Sequence, residues 1–253
     1  VIVRVLLTND DGINAPGMQV LKGIACGAFS EVWVSAPSQN CSGMSRSINV
    51  NSPIEVVEVG TREYSVTGTP VDSAILGLHI MNDVAGVLPD LVLSGINYGS
   101  NVASKLLYSG TVAAAAVAAG LGIPSIAFSQ GYCGDIDWKN SEKIVLDLVQ
   151  QLMADPKWNR TSAISINIPS SEILGVKWVE QGTYCPFGEI TKIDNPEKGR
   201  VVYNICDLNR ELPLKGYDRT STELLREGYV IATPVKADYT DHSLLSLFAG
   251  VAG

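Results

Sequence analysis

Asp10 and Asp11 stand side by side between Asn9 and Gly12, directly after the apolar run 1–7. Two adjacent carboxylates repel one another unless a cation or a proton offsets them. Hard divalent ions take carboxylate and carbonyl oxygens as ligands. On a regular strand successive side chains point to opposite faces, so both carboxylates reach one ion only where the backbone has turned, which Gly12 permits. The same four residues also make an ordinary Asx-type turn with solvated aspartates. Three further polar segments have groups suited to an anion or a metal shell. Residues 36–47 are rich in hydroxyls and contain Gly43, residues 94–101 bring Asn97 and Asn101 with two glycines, and residues 108–112 open an alanine-rich stretch. A helix start of that last kind offers free N–H groups and a positive dipole end to an anion. Each also reads as a plain loop, turn or cap. His79 and His242 are the only histidines, and neither lies in these segments, which argues against a histidine triad or a His-rich zinc site. Residues 68–72 read as a turn into a helix.

The polar segments follow elements that must position them. Apolar, β-branched runs at 1–7, 31–35, 90–94, 124–128 and 163–167 suit buried parallel strands. Helical patterns at 16–26, 70–80, from about 111, and at 141–153 lie between them, with Pro16 as a first-turn residue and Ser141 as a cap. The alternation predicts an α/β fold of three layers, a mostly parallel sheet with helices on both faces. Ligands of such sheets bind beyond the carboxyl ends of the strands.

From about Val176 the texture changes to strands at 176–180, 189–193 and 200–205 separated by turns. The expected division is a catalytic core over 1–175, a hairpin-rich oligomerisation arm over 176–214, and a return to the core over 215–253, with a helix at 221–226 and a strand at 229–233. The apolar residues of the arm, Trp178, Val201, Val202 and Tyr203, call for cover by another subunit.

The chain has 253 residues, is 46% hydrophobic and has a net charge of −8. It is long and apolar enough to bury a sizeable core. Its acidity makes it a poor partner for duplex nucleic acid. Five scattered cysteines without a C-x-x-C pair fit a reducing cytoplasm better than a disulfide framework or structural zinc. No segment is an uninterrupted apolar membrane span.

Taken together these segments resemble the SurE family, the survival 5′-nucleotidases. The resemblance rests on residues 7–13, on Ala36 and Pro37 with Ser42, Gly43 and Ser45, on 68–72, on 94–97 with Gly99 and Asn101, and on 108–112. Glu227 to Val230 followed by Thr233 and Pro234 also fits. The resemblance implies one divalent ion, Mg or Mn, and hydrolysis of nucleoside 5′-monophosphates, with 3′-monophosphates and short polyphosphate as further substrates. It implies a homodimer or homotetramer with exchanged C-terminal segments. The family's metal ligands fall on Asp10, Asp11, Ser42 and Asn97, and its phosphate-binding groups on Gly43, Asn101, Ser109, Gly110 and Thr111. The chain departs from the family at Ser38, Cys41, Ala103, Lys105 and Val117; Ala103 stands where Gly is typical. The role of Asp10 stays open between base, nucleophile and ligand, and the reading taken is attack by water with Asp10 as ligand and orienter. The rivals are an aspartyl-phosphate-forming phosphatase and a nucleotide-binding sensor without turnover. Cys41, beside Ser42 in a polar loop, is expected to be exposed, with a thiol acidified by the nearby ion.

Overall fold

The structure is a computed structural model that describes residues 3–131, 136–158, 160–182, 189–193, 199–206 and 220–248. The chain runs β1 (Arg4–Thr8), α1 (Pro16–Ala28), β2 (Glu31–Pro37), β3 (Val56–Gly60), β4 (Glu63–Val66), α2 (Pro70–Ala85) and β5 (Leu91–Tyr98). It continues through α3 (Lys105–Tyr108), α4 (Gly110–Gly120), β6 (Ser125–Gln130), α5 (Lys139–Ala154), β7 (Ala163–Ile168) and β8 (Gly175–Trp178). Then follow β9 (Glu189–Ile193), β10 (Val202–Cys206), α6 (Thr220–Glu227), β11 (Tyr229–Val235) and α7 (His242–Phe248).

Nine strands form one sheet in the order β3-β4-β2-β1-β5-β6-β7-β11-β8. The central strands β4, β2, β1, β5, β6 and β7 are mutually parallel. β3 and β11 run antiparallel to their neighbours β4 and β7. The expected mostly parallel α/β sheet is present, and so is an antiparallel C-terminal hairpin, β9 with β10.

The two faces of the sheet differ in side-chain size, and that difference sorts the helices. Val5, Leu7, Leu91, Leu93, Ile126, Phe128, Ile164 and Ile166 face one way and pack with α1 and α5 through Met18, Leu21, Val145 and Val149. Burying a side chain of this kind stabilises the fold by about 1.5–3 kcal/mol, so this layer dominates the core. The opposite face is lined by smaller groups. Thr8, Ser94, Ala127 and Ser165 stand in register across β1, β5, β6 and β7. This low surface admits the alanines of α4, whose Ala115, Ala116 and Ala119 pack with Ala127 and Ala163. Next to it α2 packs Leu78 and Met81 on Leu6 and Trp33. The close docking of α4 puts its first turn at the carboxyl end of β1.

Two features depart from the sequence reading. The strand expected at 176–180 is not part of the hairpin: β8 joins the main sheet at its edge, parallel to β11. The reason is hydrogen bonding, since β11 would otherwise present an unpaired edge. The β3–β4 hairpin over 56–66 was not read from the sequence. Its outer valines, Val57 and Val59, are exposed, so it lacks the continuous apolar run that marks the buried strands.

Candidate active site

The carboxyl ends of β1, β2 and β5 and the first turn of α4 meet around Asp10. Asn9 is buried and clamps the turn from within: its Nδ2 donates to Gly12 O at 2.8 Å, and its Oδ1 accepts from Gly12 N at 3.2 Å. Gly12 has φ of 108°, a conformation that suits glycine, and an added Cβ would sit 3.3 Å from the Gln39 backbone. This turn brings both aspartates off the strand. The loop after β2 is fastened to it by two backbone bonds, Ile13 N to Pro37 O at 2.8 Å and Cys41 N to Asp10 O at 2.7 Å.

Asp10 is buried, and its Oδ1 accepts a short hydrogen bond from the Thr111 hydroxyl. The Thr111 backbone N–H also bonds to it. Asp10 therefore occupies the positive end of α4 with its own carboxylate. Gly110 makes this approach possible, because a Cβ there would lie 2.7 Å from Pro70 Cγ and 2.8 Å from Asp10 Cβ. Burial, opposed by the Thr111 hydroxyl and reinforced by the charge of Asp11, raises the Asp10 carboxyl to about 6 in all. Asp11 is also raised by burial, against the lowering effect of hydrogen bonds from the Tyr98 backbone and the Ser42 hydroxyl. Tyr98 N donates to Asp11 Oδ2 at 2.9 Å. Among the described residues no lysine, arginine or histidine forms an ion pair with either aspartate.

The other expected ligands lie around this pair. Ser42 is exposed in the loop after β2, hydrogen bonded to Asp11. Asn97 is nearly buried at the end of β5, where the register against β6 shifts between Ser94 and Asn97. A shift of this kind re-aims a side chain at a strand end. Its Nδ2 donates to Gly99 O at 2.7 Å, so Oδ1 remains the acceptor. Among the described residues no group of three His, Cys, Asp or Glu side chains is placed to hold an ion. An ion here would be held by two carboxylates completed by the neutral oxygens of Ser42 and Asn97.

The expected phosphate groups divide. Gly43 has φ of 81° and open space about its Cα. Ser109 caps α4, its Oγ accepting from Val112 N at 3.1 Å. Gly110 and Thr111 are the first residues of that helix and are engaged with Asp10 as described. Asn101 is tied down elsewhere: its Nδ2 donates to Ser129 Oγ at 2.9 Å and its N–H to Asn167 Oδ1 at 2.6 Å. Asn167 and Ser129, at the ends of β7 and β6, are supporting residues that sequence reading missed. Their strand-end position was the available signal. Asp72 keeps its structural reading. It forms a capping box with Thr69 at the start of α2 and accepts from Asn49 Nδ2 at 2.6 Å, which anchors the far end of the serine loop.

Cys41 corrects an expectation. It is 5% exposed, its Sγ lies 3.8 Å from Gly68 O, and its thiol is pushed up by burial and by the charges of Asp10 and Asp72. The loop is polar, but it folds back on the β1 turn, so the residue facing inward is covered. Among the described residues the exposed free thiol is that of Cys26.

These features define an α/β protein that presents a paired-carboxylate site at the carboxyl edge of its parallel sheet. The family model described as Survival protein SurE matches residues 5–186. A 5′-nucleotidase SurE of Anaplasma marginale is 43% identical over 98% of this chain and 100% of its own length. One of Ehrlichia chaffeensis is 42% identical over 96% of this chain and 95% of its own. The crystal structure of the SurE protein from Aquifex aeolicus superimposes with a TM-score of 0.80 at 32% identity, over 99% of this chain and all of that one. The chain belongs to the SurE family and is an enzyme of that family.

Proposed function

We propose that this chain is a metal-dependent phosphomonoesterase that hydrolyses nucleoside 5′-monophosphates to nucleoside and phosphate. The observation that carries this reading is the pair Asp10 and Asp11. Both carboxyls are raised by burial, and they sit against the start of α4 without a cationic partner among the described residues. Uncompensated neighbouring carboxylates are costly, and a divalent cation offsets both at once. The donors Asp10, Asp11, Ser42 and Asn97 are all oxygen, which suits Mg or Mn over softer metals. When bound, such an ion withdraws charge from the phosphoryl oxygens and acidifies water.

The chain's own residues would supply the rest. Thr111 holds the Asp10 carboxylate in one orientation, and the Tyr98 N–H does the same for Asp11. Asp10 orients the attacking water. Its Oδ1 is engaged by Thr111, which favours this role over nucleophilic attack. Gly43, Ser109 and Gly110 border the space for the phosphoryl group, and Asn101 stiffens it from beneath. 3′-Monophosphates and short polyphosphate are the side substrates of this reading. The exposed apolar residues of the β9–β10 hairpin favour a homodimer or homotetramer joined through that hairpin, the part of the expected 176–214 arm that stands apart from the main sheet. Scattered cysteines, with Cys26 and Cys41 as free thiols, fit the cytoplasm. No helix of the described residues is long and apolar enough to cross a membrane.

The test is phosphate release from a panel of nucleoside 5′-monophosphates with Mg, Mn, Ca or Zn. Release with Mg or Mn is expected. Tight nucleotide binding without release under every metal would favour the sensor, and a trapped phosphoryl group on Asp10 would favour the covalent route.

A further inference from the structure

A cavity of about 620 Å³ opens beside α4 and is independent of the carboxylate pair in its lining. One wall is the serine loop and α4, through Ser45, Arg46 and Ser109. The facing wall comes from the end of β8 and the segment after β11, through Trp178, Glu180 and Tyr239. Its size falls within the about 300–1,000 Å³ of small-molecule sites. Ser109 links it to the chemistry, because it lines the cavity and caps the helix whose next two residues touch Asp10.

Two of the four charged side chains in the lining, Arg46 and Asp238, are engaged by neighbours. Arg46 donates to the carbonyls of Ala237 and Lys236 at 2.8 and 3.1 Å, and its guanidinium lies 4.2 Å from the centre of the Tyr239 ring. Asp238 accepts from Thr240 N at 2.8 Å and meets His242 Nε2 at 2.7 Å. Two cationic residues, Arg46 and Lys236, are balanced by two acidic ones, Glu180 and Asp238. An anionic chain finds no net field here. Flat aromatic surface remains: Trp178 is 56% exposed and Tyr239 is 72% exposed. Aromatic side chains of this kind stack on a planar base without regard to its identity.

We infer that the cavity between the serine loop and the residues 178–181 and 233–239 holds the nucleoside half of the substrate, with Trp178 and Tyr239 as its stacking walls. This rests on the reading of the chain as a nucleotidase, and it deepens it. Neutral ring-bearing groups fit, so nucleoside monophosphates should be preferred over polyphosphate, and bases should be weakly discriminated. Arg46 packs on Tyr239 and belongs to the same loop as Ser42, so the cavity wall and the metal loop share one segment.

The experiment uses the full chain with Mn and two readouts. The first is the ratio of kcat/KM for AMP to kcat/KM for glycerol 2-phosphate, which has no ring. The second is binding of adenosine by calorimetry. For Trp178→Ala and Tyr239→Ala the ratio and the adenosine affinity should each fall about tenfold, and Trp178→Phe should restore most of both. Adenosine binding that survives both alanine variants, or an AMP preference unchanged within twofold, overturns the assignment. If the protein hydrolyses no phosphate ester, the nucleotidase reading fails, yet adenosine binding and its loss in the variants still decide the cavity.

Discussion

Asp10 is held from two sides, by the loop after β2 and by the start of α4. Its backbone carbonyl takes the Cys41 N–H, its carboxylate takes the Thr111 hydroxyl, and Gly110 closes over it. Thr111→Val removes that hydroxyl while keeping its shape, and turnover should fall by about 10–100-fold, with Thr111→Ser close to wild type. Asp10→Asn and Asp11→Asn should each lower turnover by about a hundredfold or more without unfolding the chain. The folded Asp10 carboxyl titrates near 6 against an ordinary 3.8, so the metal-free fold binds the extra proton between those values. Its stability therefore falls as pH rises through about 6. Asp10→Asn should stabilise the metal-free protein by roughly 1–2 kcal/mol at pH 7, and the gain should vanish below about pH 4. Thermal melts in chelator across that pH range check this. Cys26 should be alkylated well before Cys41, as mass-spectrometric mapping would record; the reverse order would contradict the burial of Cys41. The carboxylate pair was legible because its chemistry is carried by adjacent residues. The burial of Cys41 was not, because it depends on Asp10 and Gly68, which are distant in sequence. Ala103 has φ of 52°, a left-handed backbone conformation that glycine adopts without strain.

At the scale of elements, α4 is the part that makes a site out of a turn. Its alanines dock on a face of the sheet kept low by Thr8, Ser94, Ala127 and Ser165, and the docking leaves no space over Gly110. Gly110→Ala should destabilise the fold by about 1–3 kcal/mol, read by thermal unfolding, and displace Asp10 enough to lower turnover. A melt unchanged from wild type would mean that α4 is less closely seated than described. The central strands were legible from their apolar runs. The outer ones were less so, because exposed Val57 and Val59 in β3 and exposed Val176 and Trp178 in β8 imitate surface hairpins. Pairing with β11, which comes about fifty residues later in the chain, is what decides the place of β8.

At the scale of the whole molecule, the exposed apolar residues among those described are most closely spaced toward the C-terminus. Ile190, Val202, Tyr203 and Ile205 on the hairpin are exposed, as are Leu244, Leu247 and Phe248 on α7. Apolar patches of this kind on a folded chain mark association. Tyr203→Glu with Ile205→Glu should lower the mass seen by light scattering at micromolar concentration, while a wild-type monomer would remove the need for an arm.

The central claim is that one divalent ion sits on Asp10 and Asp11 and that turnover depends on it. It is tested most directly by titrating Mn into the chelator-treated chain while measuring bound metal and phosphate release from AMP in the same samples. One ion per chain is expected, with release that rises in step with occupancy and loss of both in Asp10→Asn. Phosphate release at full rate from the chain with no metal bound would contradict it.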